Sequence, residues 1–362
     1  MLTDADRDFL FELLRTPSPT GYEVEGQRVW AAWAERHADR VESDAYGNAW
    51  ATRDGRTGGP RVMLEAHADE IGFTIKYVDD DGFIRVDRIG GTDHAIARGR
   101  RILFMGAKGP VLGVVGNTAI HLRDRAADEK APRVDELFVD IGAKSRAEVA
   151  ERGLRVGHPA VYVDAVEALT ETRLIGRALD NRLGGFVIAQ ALRRLAETEG
   201  GHEATVHAVN AVQEEVGGHG AQMAAFRLEP DLALVVDVTH ATDSPGIEKA
   251  KHGDVKLGGG PTVTHGTVNH PRIVQRLIDV AERENIPLQH ETTSRFSGTD
   301  LDVIFKSRGG VPAALVSIPM RYMHSTVETV ELADVEHTIR LLAAFAASVT
   351  AEDQFGRGVL EG

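Results

Sequence analysis

The feature that most restricts the fold is a change of texture partway along the chain. Up to about residue 70, helix-period and strand-period segments alternate. Helical spacing runs over residues 3–15, where Phe9, Leu10, Leu13 and Leu14 share a face, and over 23–36, with Val24, Val29, Trp30 and Trp33. Pro17-Ser18-Pro19-Thr20-Gly21 separates them, and extended patterns follow at 40–44, 48–52 and 61–67. From 71 to 165 the pattern becomes short strands (72–77, 83–86, 101–104, 110–117, 136–140 and 160–163) broken by Asp-Gly, Gly-Gly and Lys-Gly-Pro turns, with one helix at 146–152. Evenly spaced short strands build a small barrel or sandwich. After residue 170 the first rhythm returns, with strands at 173–178, 203–212, 231–238, 288–292 and 313–318. Helices are expected at 181–197, 220–228, 271–284, 300–306 and 333–349. Such alternation builds a sheet covered by helices. The reading is an α/β protein: one α/β domain from residues 1–70 and 166–362, interrupted by a β-rich unit at 71–165. At 362 residues the chain can bury two cores.

Composition removes several function classes. A net charge of −14 with no basic stripe argues against nucleic acid. There is no cysteine, which excludes disulfides, thiolate metal sites and thiol catalysis and fits a reducing cytoplasm. Residues 1–12 are acidic and lack the basic and apolar regions of a signal peptide. No apolar run approaches the roughly 20 residues that span a bilayer, so no membrane partner is expected.

The chemistry concentrates where apolar runs end, the place at which open α/β sheets put ligands. His67 and Asp69 follow the strand at 61–66. Residues two apart in an extended segment face the same side, so Asp69 can orient the His67 imidazole. Asp180 sits between a strand and a helix, where an N-cap is the ordinary role of Asp. Glu214-Glu215 interrupts a buried-looking strand just before Gly217-Gly218, a poor place for idle charge. Adjacent side chains diverge, so one glutamate can bind metal while the other faces a nucleophilic water. Asp237 lies inside Leu232–Val238, where a carboxylate is costly unless paired or metal-bound. His324, in Met323-His324-Ser325, would alone be read as structural. Together, two imidazoles and several carboxylates suit Zn²⁺, Co²⁺ or Mn²⁺ without any thiolate.

The order His-x-Asp, Leu179-Asp180-Asn181-Arg182, Glu214-Glu215-Val216-Gly217, Val236-Asp237 and Met323-His324-Ser325 resembles the M42 peptidase family over nearly the whole chain. Gly113-Val114-Val115-Gly116, Val156-Gly157-His158 and Gly258-Gly259-Gly260-Pro261 extend the likeness. The resemblance implies a zinc-peptidase-like α/β/α catalytic domain with an inserted β-barrel-like domain at 71–165. It implies an aminopeptidase with two divalent ions, zinc or cobalt. His67 and Asp237 would hold one ion, Glu215 and His324 the other, and Asp180 would bridge them. Glu214 would be the general acid/base and the nucleophile a hydroxide bridging the ions; Asp69, read above as orienting His67, is counted with Glu214 in the catalytic set. A cis peptide bond after Asp180 is expected on the same ground. Peptides would be the substrates, and the chain would form a homo-oligomer, a dodecamer or a dimer, with the charged stretch 121–133 suited to an exposed or interface role. One departure is Gly90-Gly91-Thr92-Asp93-His94, where many relatives carry an aromatic residue after the glycines; it bears on the surface of the insert.

Two rival enzymes share the residues. A deacylase or carboxypeptidase on the same scaffold needs a cation to clamp a substrate carboxylate, for which Arg321 and Arg295 are candidates. A glycoside hydrolase can work with two carboxylates alone, but an aromatic content of 6% offers few sugar platforms and leaves both histidines unexplained. A non-catalytic binding protein would be expected to have lost a ligand or Glu214, and none is missing.

Overall fold

A computed structural model describes residues 2–56, 58–122, 131–198 and 201–356. Most of the charged stretch 121–133 lies outside these residues.

Helices α1 (Asp4–Arg15) and α2 (Val24–Ala34) open the chain. Thr3 caps α1: its hydroxyl accepts from the Asp6 N–H, and the Asp6 carboxylate accepts from the Thr3 N–H. Strands β1 (Arg40–Ser43), β2 (Ala49–Arg53) and β3 (Arg61–His67) follow. The texture change is then realised as a closed barrel. Its strands are β4 (Gly72–Val78), β5 (Ile84–Ile89), β6 (Arg101–Gly106), β7 (Gly109–Val115), β8 (Val139–Asp140) and β9 (Pro159–Tyr162), ordered β4-β5-β8-β7-β6-β9, with helix α3 (Arg146–Glu151) before β9. Phe73, Ile75, Val86, Ile102, Phe104 and Val139 fill a core of its own.

The remainder contains β10 (Glu167–Ala168), β11 (Arg173–Gly176), α4 (Leu179–Ala196), β12 (Thr205–Ala211), α5 (His219–Leu228) and β13 (Leu232–His240). Then come α6 (Lys249–His252), β14 (Thr262–Gly266), α7 (Pro271–Arg283), β15 (Gln289–Thr293), α8 (Leu301–Ile304), β16 (Ala313–Met320), β17 (Glu328–Glu331) and α9 (Leu332–Ala347). Eight strands form one mixed sheet, β1-β2-β12-β3-β13-β16-β14-β15, in which β12, β3, β13 and β16 run parallel. Alternation along β3 sends Val62, Leu64 and Ala66 into the core shared with α1, α2, α4, α7 and α9, and Met63 into the core under α5 and α8. Helices therefore cover both faces, and the C-terminal ends of the parallel strands share one edge. Strands β10, β11 and β17 make a small antiparallel sheet beside it.

Two local expectations are corrected, and strands β14 and β17 had not been expected. The helix at 300–306 shrinks to one turn, and only Val139–Asp140 of 136–140 pairs as strand, because Val134–Glu136 is a 3-10 turn. Strands β14 and β17 carry no apolar alternation in sequence. In β14 only Val263 faces the helical core, and Thr262 and Thr264 face the other way. Among the described residues no helix is long and apolar enough to cross a membrane.

Candidate metal centre

His67 is the last residue of β3, Asp180 begins α4, Glu214 and Glu215 form a 3-10 turn after β12, Asp237 lies within β13, and His324 sits in the loop between β16 and β17. All six line one cavity of about 640 Å³. The peptide bond Asp180–Asn181 is cis, as expected. Seven non-glycine residues have positive φ among those described, and four of them, Ala178, Gln213, Tyr322 and His324, are candidate ligand positions or lie within two residues of one. Backbone held in that region is uncommon and persists where the surroundings over-determine it.

The two oxygens of Asp180 face two different imidazoles. Oδ1 lies 3.4 Å from His67 Nε2, and Oδ2 lies 3.2 Å from His324 Nε2. Asp237 Oδ1 is 3.9 Å from His67 Nε2, and Glu215 Oε1 is 3.5 Å from His324 Nε2. His67, Asp180 and Asp237 thus form one trio, and Asp180, Glu215 and His324 another. In each, one ligand atom per residue lies within 4.8 Å of the others, close enough to hold a metal ion. Glu214 belongs to neither trio; its Oε2 is 3.8 Å from His67 Nε2.

The electrostatics test whether these donors fit a cation. Burial pushes the Glu214 carboxyl up to about 7 and Glu215 up to about 8, with Asp180 adding to both, and it drives Asp237 well above the carboxylate range. Burial opposes ionisation of Asp180 as well, but hydrogen bonding to His324 and His67 outweighs it and holds that carboxyl below its usual value. Hydrogen bonding to Asp180 raises the His324 imidazole to about 10. Buried carboxylates that keep protons, and imidazoles that keep a second one, mark a site whose negative charge calls for cations. The donor set fits borderline divalent ions.

Asp69 stands behind this shell. Its Oδ1 lies 3.4 Å from His67 Nδ1 and accepts from the Glu214 N–H, and its Oδ2 accepts from the Glu215 N–H and the Thr20 hydroxyl. One buried carboxylate therefore fixes both the His67 side and the Glu214–Glu215 turn.

Two supports escaped the sequence reading. Glu328 is buried, and its oxygens accept from the Asp180 and His324 N–H groups, tying the shared carboxylate to the distant histidine. Its one signal was a glutamate four residues after His324. The Gly90-Gly91 loop, read above as a matter of the insert's surface, packs against the centre instead: the Gly91 carbonyl lies 3.2 Å from His324 Nδ1 and accepts its proton. A Cβ on Gly91 would come within 2.6 Å of that ring, and one on Gly90 within 3.0 Å of Glu215.

Fold and site define a class: an α/β/α peptidase scaffold with a candidate metal site at the strand ends. The chain belongs to the M42 glutamyl aminopeptidase family, whose profile matches residues 47–341, and is accordingly a peptide-bond hydrolase. It is 36% identical to the lysyl aminopeptidase of Pyrococcus furiosus, over 96% of this chain and 99% of that one. Among solved structures, aminopeptidase APDkam598 of the archaeon Desulfurococcus kamchatkensis superposes with a TM-score of 0.89 at 34% identity, covering 96% of this chain and 97% of its own. The TET1 peptidase of Pyrococcus horikoshii, described as assembling into a tetrahedron or a large octahedral shell, gives 0.83 at 30% identity, over 95% and 100%.

Proposed function

We propose that the chain is an aminopeptidase that removes N-terminal residues from peptides with two divalent ions, zinc or cobalt. His67 and Asp237 would hold one, Glu215 and His324 the other, and Asp180 both. The observation that carries this is the opposed aim of the two Asp180 oxygens at His67 and His324. When bound, such ions supply Lewis-acid polarisation of the scissile carbonyl and a water of lowered pKa.

The chain's own residues do the rest. Glu214 is the general acid/base: it takes a proton from the attacking water and returns it to the leaving amine. Its carboxyl is raised by burial; cations held beside it would draw it back down and leave it ionised to accept. Asp69 is a positioning residue, holding the Glu214 and Glu215 N–H groups and the far side of His67.

The cavity favours an aminopeptidase over its rivals. A carboxypeptidase or deacylase needs a cation to clamp a carboxylate, and no Lys or Arg is among the described residues lining the cavity. Arg321 is locked in a bidentate pair with Asp243 at 2.7 Å, and Arg295 lies exposed outside the lining. Nor is any Phe, Tyr or Trp among the described residues lining it, which removes the stacking surface a glycoside would use. The names of family and relatives, glutamyl and lysyl, ask for opposite charges, so neither is carried over as this chain's preference. Stripping metal should abolish cleavage of aminoacyl-nitroanilides, and zinc or cobalt should restore it. Cleavage of the N-acetylated substrate as fast as the free one would overturn the reading.

The barrel, residues 71–165, is proposed as a separate inserted domain that serves homo-oligomer assembly, as a dodecamer or a dimer, in the cytoplasm. It has its own core, and it leaves Leu112, Val114, Ile120 and Leu122 exposed at 52%, 45%, 70% and 80%. The shells that the TET1 peptidase forms support the same reading. Leu112→Glu should lower the mass seen by light scattering; an unchanged mass would count against that face.

A further inference from the structure

The cavity continues beyond the metal ligands along the sheet. Strand alternation turns Val236, Val316 and Val263 into the helical core. It turns Asp237 and Thr239 of β13, Ser317 of β16, Thr262 and Thr264 of β14 and Glu291 of β15 to the opposite side, with Asp237 paired to Ser317, Ser317 to Thr262, and Thr264 to Glu291. A polar stripe thus crosses four strands and starts at a proposed ligand. It ends at the Glu291 carboxylate. Oε2 accepts from the Thr239 hydroxyl at 2.6 Å, and Oε1 accepts from Thr264 at 2.7 Å and Thr262 at 3.1 Å. Among the described residues no Lys or Arg pairs with it, and none lines the cavity. A second observation points to a ligand there: the Ser317 hydroxyl, in a fully buried residue on the cavity wall, has no hydrogen-bond partner among the described residues.

The dimensions select the ligand. Thr239 lies two residues beyond Asp237 on one strand, about 6.6 Å along it. A carboxylate hydrogen-bonded to Thr239 is therefore one extended basic side chain, roughly 6–7 Å from Cα to charge, away from the ligand cluster. Leu315, beside Ser317 on the same face, offers apolar surface to an aliphatic stem.

We propose that this arm receives the side chain of the substrate's N-terminal residue and that Glu291 selects lysine or arginine there, with Ser317 as a second acceptor. The proposal rests on the aminopeptidase reading above. The metal-loaded protein should be given lysyl-, arginyl-, methionyl-, leucyl- and glutamyl-nitroanilides. Lysine and arginine should exceed methionine and leucine in kcat/KM by at least about tenfold, as befits a charge-assisted contact in a sheltered pocket, with glutamate slowest. Glu291→Gln should collapse the lysine-to-methionine ratio by about tenfold or more. Should that variant fail to fold, the wild type still decides: lysinamide should inhibit better than norleucinamide, which has nearly the same shape without the charge. A wild-type preference for leucine, methionine or glutamate, an unchanged ratio in Glu291→Gln, or equal inhibition by the two amides would overturn the selection by Glu291 and leave the aminopeptidase reading standing. Cleavage of none of the five substrates would sink both.

Discussion

Gly91→Ala tests whether the barrel side of the molecule helps to build the metal centre. The added Cβ would sit 2.6 Å from Cε1 and Nδ1 of His324. Carbon neighbours rest at about 3.5 Å or more, so the ring must retreat by about 0.9 Å or the loop must move as far. Gly91 has no positive φ, so alanine is acceptable to the backbone and the perturbation is steric. A retreat of that size stretches the 3.2 Å bond from Nδ1 to the Gly91 carbonyl to roughly 4 Å and ends it. It also moves Nε2 by several times the roughly 0.2 Å tolerance of a metal–ligand distance. Loss of an outer partner of a ligating histidine costs about 10- to 100-fold in metal affinity, roughly 1.4–2.7 kcal/mol. The loss should fall on the ion proposed at Glu215 and His324 and spare the one proposed at His67 and Asp237. Competition with a zinc chelator, together with elemental analysis for metal per chain, separates the two. Gly309→Ala is the control, since nothing lies within 4 Å of a Cβ there. A Gly91→Ala protein that keeps both ions within about twofold of the wild-type affinities would refute the reasoning.

Glu214→Gln should lower turnover by at least about 10²-fold while both ions stay bound, because Glu214 lies outside both ligand trios; loss of one metal equivalent would mean that the roles of Glu214 and Glu215 are exchanged. Metal uptake at pH 7 should release protons, because Glu215 at about 8, Asp237 above its range and His324 at about 10 hold protons that coordination displaces. Affinity should therefore rise with pH, and calorimetry in buffers of different ionisation enthalpy should count the protons; no buffer dependence would refute it. His207, buried on β12 with Nδ1 2.9 Å from the Thr52 hydroxyl, is brought down to about 4 by burial. A depressed histidine contributes stability above its unfolded pKa of about 6.5, lost as pH falls from there towards 4, up to roughly 3 kcal/mol. Urea melts of metal-free protein should show that slope, and His207→Gln should flatten it; equal slopes would exclude His207 as its source.

Sequence by itself determined the two textures, since apolar periodicity reports which face of each element is buried, and so the α/β sheet and the barrel were both legible. It also brought out Glu214, Glu215 and Asp237 as candidates, because a charge that interrupts a buried strand stands out against its neighbours. His67, Asp180 and His324 have ordinary structural readings and became candidates only in company with the others. Tertiary structure alone decided how these residues meet. That Asp180 turns one oxygen to each histidine, that Glu328 ties Asp180 to His324, and that a glycine after β5 touches an imidazole from the loop before β17 are contacts between segments many residues apart. The same holds for β14, whose threonines look like loop in sequence because they face a polar cavity rather than a core. Periodicity records burial along one element; hydrogen bonds and ligand geometry depend on which elements the packing brings together.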